Sequence, residues 1–528
     1  MQSYLQYRSI KSCVDRHCTH ISHSDASVDK PEKYILSCAR RLEREPTDEP
    51  VNFKENDVYL VGWDGPDDPL NPKNFSFAKK IRTTLLVSLI AFVVTAASAT
   101  DAPVLKQAAK DLHVSEVAES LATGSFLLGY AVGAVFAAPF SEALGRNLVY
   151  IVTLFLFGLF VMASALAPNF GAQVVLRFIA GFFGSTPLVC SGGSIADLWN
   201  QMEKTYAFPL YSITCFGGPI VGPVITSFIG VSHLTSWRWA EWMNVFMTIL
   251  AWLIVFFFMP ETFGPLLLKW KAAEIRKQTG QDHFKAEIEV SHRSLKARLK
   301  VAFTRPFLMA LEPIIILMAL YLTVLYIALF TFLNGYSFIF GDTYGLGQGL
   351  TNICFLGLEI GMLLAAFLVY PIWRITKRDL EKAHSEGRRS IDPEVRLWFG
   401  MLGGSISIPI GLFWMGWTDY ASVSIWSPLV ASVVLGYGIV CIFTSVYMYV
   451  IDSYEIYAAS ALTLVTFMRY TVAGGMTEVG IPFYKNMGTH WTLTIMACLT
   501  VLLAPLPYAL YIWGKKIRSF SKYAVGDI

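Results

Sequence analysis

Four charged residues stand in stretches otherwise built of apolar side chains. They are Arg177 in RFIAGFFGS, Glu359 in FLGLEIGML, Arg469 in TLVTFMRYTV and Glu478 in GGMTEVGIPF. In hydrocarbon a charge costs about 2.5–3.5 kcal/mol on insertion scales, so such a residue is kept for a function or for a partner. A carboxyl at that depth suits a group that gains and loses a proton in each working cycle, and it can equally serve as counter-charge to a cationic solute. Arg469 and Glu478 are nine residues apart, half a turn out of phase at about 3.6 residues per turn, so a direct pair between them is not expected. No nucleotide-binding loop, metal cluster or nucleophile motif accompanies these residues, and neither enzyme chemistry nor a cofactor is expected. Cys13, His17, Cys18, His20 and His23 match no zinc-finger spacing and lie in a polar tail, so no metal site is expected there.

The elements that position these residues must be membrane helices. Of 528 residues, 54% are hydrophobic and 15% charged, where a soluble protein carries about 25% charged residues. Mean hydropathy is +0.49. A net charge of +3 gives no reason to expect nucleic acid as a partner. Residues 1–80 are polar and proline-punctuated and are expected to form a largely disordered tail. A bilayer crossing needs about 20 apolar residues. Runs of that length fall near 81–100, 120–140, 148–167, 172–194, 207–230 and 241–259, then near 309–333, 350–372, 397–417, 426–450, 458–482 and 491–513. The sequence therefore predicts an all-α membrane protein of twelve spans. Six (81–260) precede a basic loop (261–308), six follow it (309–513), and a short tail (514–528) ends the chain. Basic residues crowd the central loop, the turns holding Arg146, Lys204 and Arg374 to Arg389, and the end at Lys515, Lys516 and Arg518. By the positive-inside rule these segments and both termini are cytosolic.

The halves echo one another. IADLW (195–199) precedes Gly217 and Gly218, much as VIDSY (450–454) precedes Gly474 and Gly475, and repeated halves are how many carriers build two rocking bundles around a midplane site. The stretch CFGGPIVGPV concentrates Gly217, Gly218, Pro219, Gly222 and Pro223 in one span. In water glycine and proline cost a helix about 1 and 3 kcal/mol against alanine. Within lipid, small residues let backbones approach closely and prolines bend the helix. Glu142, Arg146, Asp197 and Asp452 sit at ends of spans on the basic side. There, acid–guanidinium pairs (either aspartate with Arg146 or Arg374) can lock and release a conformation.

Taken together, GWDGPDDPLNPKNFS, APFSEALGRN, RFIAGFFGS, GGSIADLW, GGPIVGPV, PETFGPLLLKWKA, YPIWR and DSYEIYAASALTLVTFMR resemble the major facilitator superfamily, and within it the fungal twelve-span drug:proton antiporter branch. The similarity runs from about residue 62 to about residue 523. It implies proton-driven export of drugs or secondary metabolites across the plasma membrane by alternating access, with protons as coupling ion and a monomeric carrier in the bilayer. It also implies a proton-relay role for Arg177 and an antiporter-motif role, sealing and flexing the contact between the halves, for the glycine–proline helix. Asn147 departs from a second basic residue usual after Arg146, which weakens the expected charge clamp. Glu359 and Glu478 depart from an apolar or small pattern. They keep open a polyamine or organic-cation carrier, and a non-transporting sensor with a transporter fold is the remaining alternative.

Overall fold

The computed structural model describes residues 1–22, 39–41, 58–232, 235–290, 303–388 and 391–524. The first six spans are Phe77–Ala97, Glu116–Leu144, Arg146–Ala165, Phe170–Leu198 (broken near Ser185), Lys204–Val231 and Trp239–Phe258. The next four are Pro313–Thr343, Gln348–Ser385, Pro393–Thr418 and Trp426–Tyr454. The final helix, Ala458–Leu503, changes direction at Gly488, whose φ of 76° and ψ of 170° are non-helical. That break divides it into an eleventh and a twelfth span, the latter prolonged by Leu506–Arg518.

Burial follows each helix's place in the bundle. In the tenth span nearly every residue from Leu435 to Tyr454 is buried, because the helix runs through the interior. The sixth span instead turns Phe246, Leu250, Leu253 and Phe257 outward, where lipid is as good a solvent for them as protein. The second and fifth spans of the first half pack against the eleventh and eighth of the second.

The amino-terminal tail departs from expectation. Gln2–Ser22 is a helix lying along a second helix, Gly264–Thr279. Ile10 and Val14, one helical turn apart, are buried. Strand β1 (Ala39–Arg41) pairs antiparallel with β2 (Tyr59–Val61), and β2 pairs parallel with β3 (Phe284–Lys285) of the central loop. Tyr59, Val61, Ala272, Ile275 and Phe284 close a small core with Val14. A polar average hid this alternation of apolar residues, enough to fold the segment against the central loop. In GWDGPDDPLNPKNFS the Asp68 carboxylate accepts from the Asp64 and Leu70 amides at 2.9 and 2.8 Å, and Lys271 reaches Asp64 at 2.5 Å. The side chains from His17 to His23 lie outside the described residues.

The glycine–proline helix is also used differently from the expectation. A Cβ on Gly218 would lie 2.5 Å from the Phe92 carbonyl oxygen, and one on Gly222 would lie 3.1 Å from the Ala96 oxygen. This face therefore packs on the first span, within its own half, where a Cβ would collide with backbone at Gly218 and be tight at Gly222. Gly217 alone of the three points across the seam, with Glu359 of the eighth span 3.3 Å from where its Cβ would be. Pro219 and Pro223 lie inside the continuous helix Lys204–Val231.

Candidate functional site

The fold brings the ionisable residues to three levels along the seam between the halves. On the basic face Asp452 accepts from Arg396 Nε at 2.7 Å and from Lys204 Nζ at 2.6 Å, so a carboxylate of the second half holds a lysine of the first. Arg396 also donates to Thr205 Oγ1 at 2.7 Å, and Gln201 and Ile391 exchange two hydrogen bonds of 3.2 Å. Asp452 thus takes neither Arg146 nor Arg374, the partners expected from sequence. Arg374 lies over the Tyr370 ring, 4.5 Å from its centroid, because its helix turns it away from the seam.

Arg146 belongs to a separate lock inside the first half. Its Nε lies 3.3 Å from Asp197, and its Nη1 donates to Ser141 at 2.5 Å. Gly145, with φ of 95°, makes the turn that glycine tolerates best and sets the Arg146 and Asn147 amides on the Glu261 carboxylate at 3.0 and 3.2 Å. Burial pushes the Glu261 carboxyl up, against the amides of Phe263, Arg146, Asn147 and Thr262, which pull it down. Asn147 does not leave the turn loose: its Nδ2 donates to the Met259 carbonyl at 2.7 Å and its Oδ1 accepts from Ser3 at 3.2 Å. The Met1 amine donates to Phe256 at 2.8 Å, and Gln6 bonds twice to Glu261, so the amino-terminal helix clasps the same corner. Glu142 ends the second span beside this turn.

At the opposite face Ser120 donates to Glu478 at 3.0 Å, Lys485 meets Glu116 at 3.2 Å and Gln107 donates to Gln348 at 3.0 Å, each from one half to the other. The seam is bridged at both ends.

Between these faces lie the two buried arginines. Arg177, 1% exposed, forms ion pairs with Asp101 and, through Nε at 3.2 Å, with Glu241. Its Nη1 donates to the Ala97 carbonyl at 3.0 Å. Glu119 and Gln173, joined by a 3.0 Å hydrogen bond, are buried on the neighbouring second and fourth spans. Neither Asp101, Glu119 nor Glu241 was picked out from sequence. Asp101 closes the apolar run TAASATD and Glu241 follows RWA at the mouth of the sixth span. An acid within one turn of an apolar run was the signal to weigh.

Arg469, also 1% exposed, has no such company. Its guanidinium carbon lies 4.8 Å from the Tyr326 and Tyr470 ring centroids, 5.2 Å from Tyr447 and 5.3 Å from Phe443. Its Nε and Nη1 have no hydrogen-bond partner. Glu359 and Glu478 stay apart from it. Glu359 lies against Gly217 with Oε2 unpartnered, and Glu478 is held by Ser120 with Oε1 unpartnered.

A two-half bundle bridged at both faces, with buried charges between, defines a membrane carrier. The description of the Major Facilitator Superfamily matches residues 87–477, and the chain belongs to that family of transporters. It is 49% identical over 475 residues to the MFS-type transporter kojT of Aspergillus flavus, covering 90% of this chain and 84% of that protein. It is 34% identical over 477 residues to the MFS-type efflux pump MFS2 of Trichophyton rubrum, covering 90% and 79%. Among solved structures, the proton:xylose symporter XylE bound to 6-bromo-6-deoxy-D-glucose superposes with a TM-score of 0.61 at 14% identity, covering 83% of this chain and 96% of that one. That likeness is one of fold.

Proposed function

We propose that this transporter is a proton-coupled antiporter that exports small organic molecules, drugs or fungal secondary metabolites among them, across the plasma membrane by alternating access, with both termini in the cytosol. The observation that carries the reading is the Arg177 cluster. Three buried carboxyls, Asp101, Glu119 and Glu241, accompany one guanidinium. Burying a net negative charge is expensive, so the cluster is most stable when it holds at least one proton. A cluster able to take up and give back that proton is what coupling requires.

The remaining residues take roles around it. Lys204, Arg396 and Asp452 form the cytosolic gate, while Glu142, Arg146 and Asp197 stiffen the corner of the first half. Glu359 and Glu478 face the seam from the second half, where either can pass a proton or meet cargo. Gly218, Gly222 and their prolines fix how the fifth span packs on the first, so a proton taken up at Asp101, just past the end of the first span, can be felt at the seam through Gly217. The efflux role in the Trichophyton relative's name favours export, and the crowding of basic residues at one face favours cytosolic termini. A second reading, a polyamine or organic-cation carrier, is favoured by the unpartnered oxygens of Glu359 and Glu478.

The test is reconstitution of the full chain in liposomes with an imposed pH gradient. Cargo should accumulate against its gradient, and a protonophore should abolish this. Asp101→Asn should uncouple transport from the gradient. Accumulation that is indifferent to pH gradient and protonophore would refute proton antiport.

A further inference from the structure

We infer that Arg469 is the cargo-recognition residue and that the cargo class is a small, flat, conjugated organic acid bound as its anion; the inference rests on the carrier reading above and names its substrate. Arg469 sits near the middle of the eleventh span, beside Tyr326 near the middle of the seventh, which is the depth at which carriers of this architecture hold solute. The side chains around it come from both halves. Tyr326, Phe443, Tyr447 and Tyr470 come from the second half. Tyr130 of the first half meets the Tyr470 ring at 5.1 Å, and Phe216 of the first half meets the Phe443 ring at 4.9 Å. A ligand held here touches the two bodies that must move against each other.

The chemistry follows from what the guanidinium lacks. Among the described residues no carboxylate pairs with it; Tyr447 is its side-chain hydrogen-bond partner, and its Nε and Nη1 have none. Cation–π contacts with desolvated rings stabilise the charge, but they leave N–H groups unsatisfied, and a buried unsatisfied donor is costly. The missing partner is an oxygen anion. A planar guanidinium pairs best with a carboxylate or another pair of coplanar oxygens. Rings around the charge offer faces and edges to a flat conjugated ring carrying that anion. An ammonium cargo would instead meet a fixed positive charge at the centre of the pathway, and Glu478 on the same helix is nine residues, about 13.5 Å, further along.

The experiment uses the purified full-length protein and follows its melting temperature. The probes are benzoate, salicylate, cinnamate and nicotinate, each set against its amide, with benzylamine as the cationic counterpart and sodium chloride alone as the inorganic one. At least one acid should shift the melting temperature saturably while its amide and benzylamine do not. Arg469→Gln should weaken that acid at least tenfold, about 1.4 kcal/mol, and Arg469→Lys less. Tyr326→Leu keeps the charge and removes a ring, so it should weaken benzoate more than acetate, which is added as the ring-free acid. The inference is overturned if no acid binds, if the amides or benzylamine bind as well as the acids, if Arg469→Gln binds acids like the parent, or if chloride alone reproduces the shift and displaces them. Protonophore-sensitive efflux of a neutral compound that survives Arg469→Gln would also overturn the acid class while leaving proton-driven export standing. Acid transport indifferent to the pH gradient would do the reverse.

Discussion

The two buried arginines invite comparison because sequence presents them alike and the fold treats them oppositely. Each lies in a membrane helix, and each is 1% exposed. Arg177 is surrounded by carboxylates and a backbone carbonyl of its own half. Arg469 is surrounded by rings and faces the other half. The first has its counter-charges beside it and acid to spare. The second has rings around it and no carboxylate among the described residues. What solvates a buried charge separates the two roles we propose: a proton store where carboxyls are in excess, and a binding site where a guanidinium has no carboxylate.

The sharpest break in this comparison comes from removing each cation. Arg177→Ala leaves Asp101 and Glu241 buried without their counter-charge, and losing one partner of a buried pair costs about 3–5 kcal/mol. A large drop in melting temperature and loss of gradient-driven export are expected. Arg469→Met removes a cation that no acid answers and replaces it with an apolar chain of similar length, so the fold should be unchanged or more stable. Thermal unfolding of the two variants side by side checks this, and equal destabilisation would dissolve the distinction between them.

Packing effects come next. Gly218→Leu forces a side chain into the Phe92 and Ala96 backbone, and overpacking of this kind costs about 1–3 kcal/mol. It should slow export while the protein still reaches the membrane, whereas Gly475→Leu, where an added Cβ would meet nothing within 4 Å, should be mild. The smallest effect is expected at the opposite face. Lys485 and Glu116 are both substantially exposed, and such pairs contribute about 0–1 kcal/mol. Lys485→Ala should leave stability and export near the parent values in both assays.

Much of this architecture was legible beforehand. Twelve spans follow from run length, and the family from its motif set. The partners were harder to read, because sequence does not say which helices are neighbours. Sequence makes Asp452 a gate candidate and offers it Arg146 or Arg374, yet Lys204 and Arg396, brought there by the fifth and ninth spans, answer it. The resemblance implies that the glycine–proline helix seals the halves, whereas the Gly218–Gly222 face packs on the first span; glycine spacing reveals a close approach and not what approaches. The tail was read as largely disordered because average polarity outweighed the one-turn spacing of Ile10 and Val14 and the alternation of Tyr59 and Val61. Arg469 and Glu478 were expected not to pair, from helical phase alone, and they do not.

The central claim is that coupling and recognition reside at different arginines. The direct measurement compares two transport modes in proteoliposomes, using an acid that shifts the melting temperature of the parent protein. One mode is accumulation driven by a pH gradient, and the other is counterflow exchange at equal pH on both sides. Asp101→Asn, at the Arg177 cluster, should lose accumulation and keep counterflow. Arg469→Gln should lose both. Accumulation that survives Asp101→Asn, or counterflow that survives Arg469→Gln, would contradict the account.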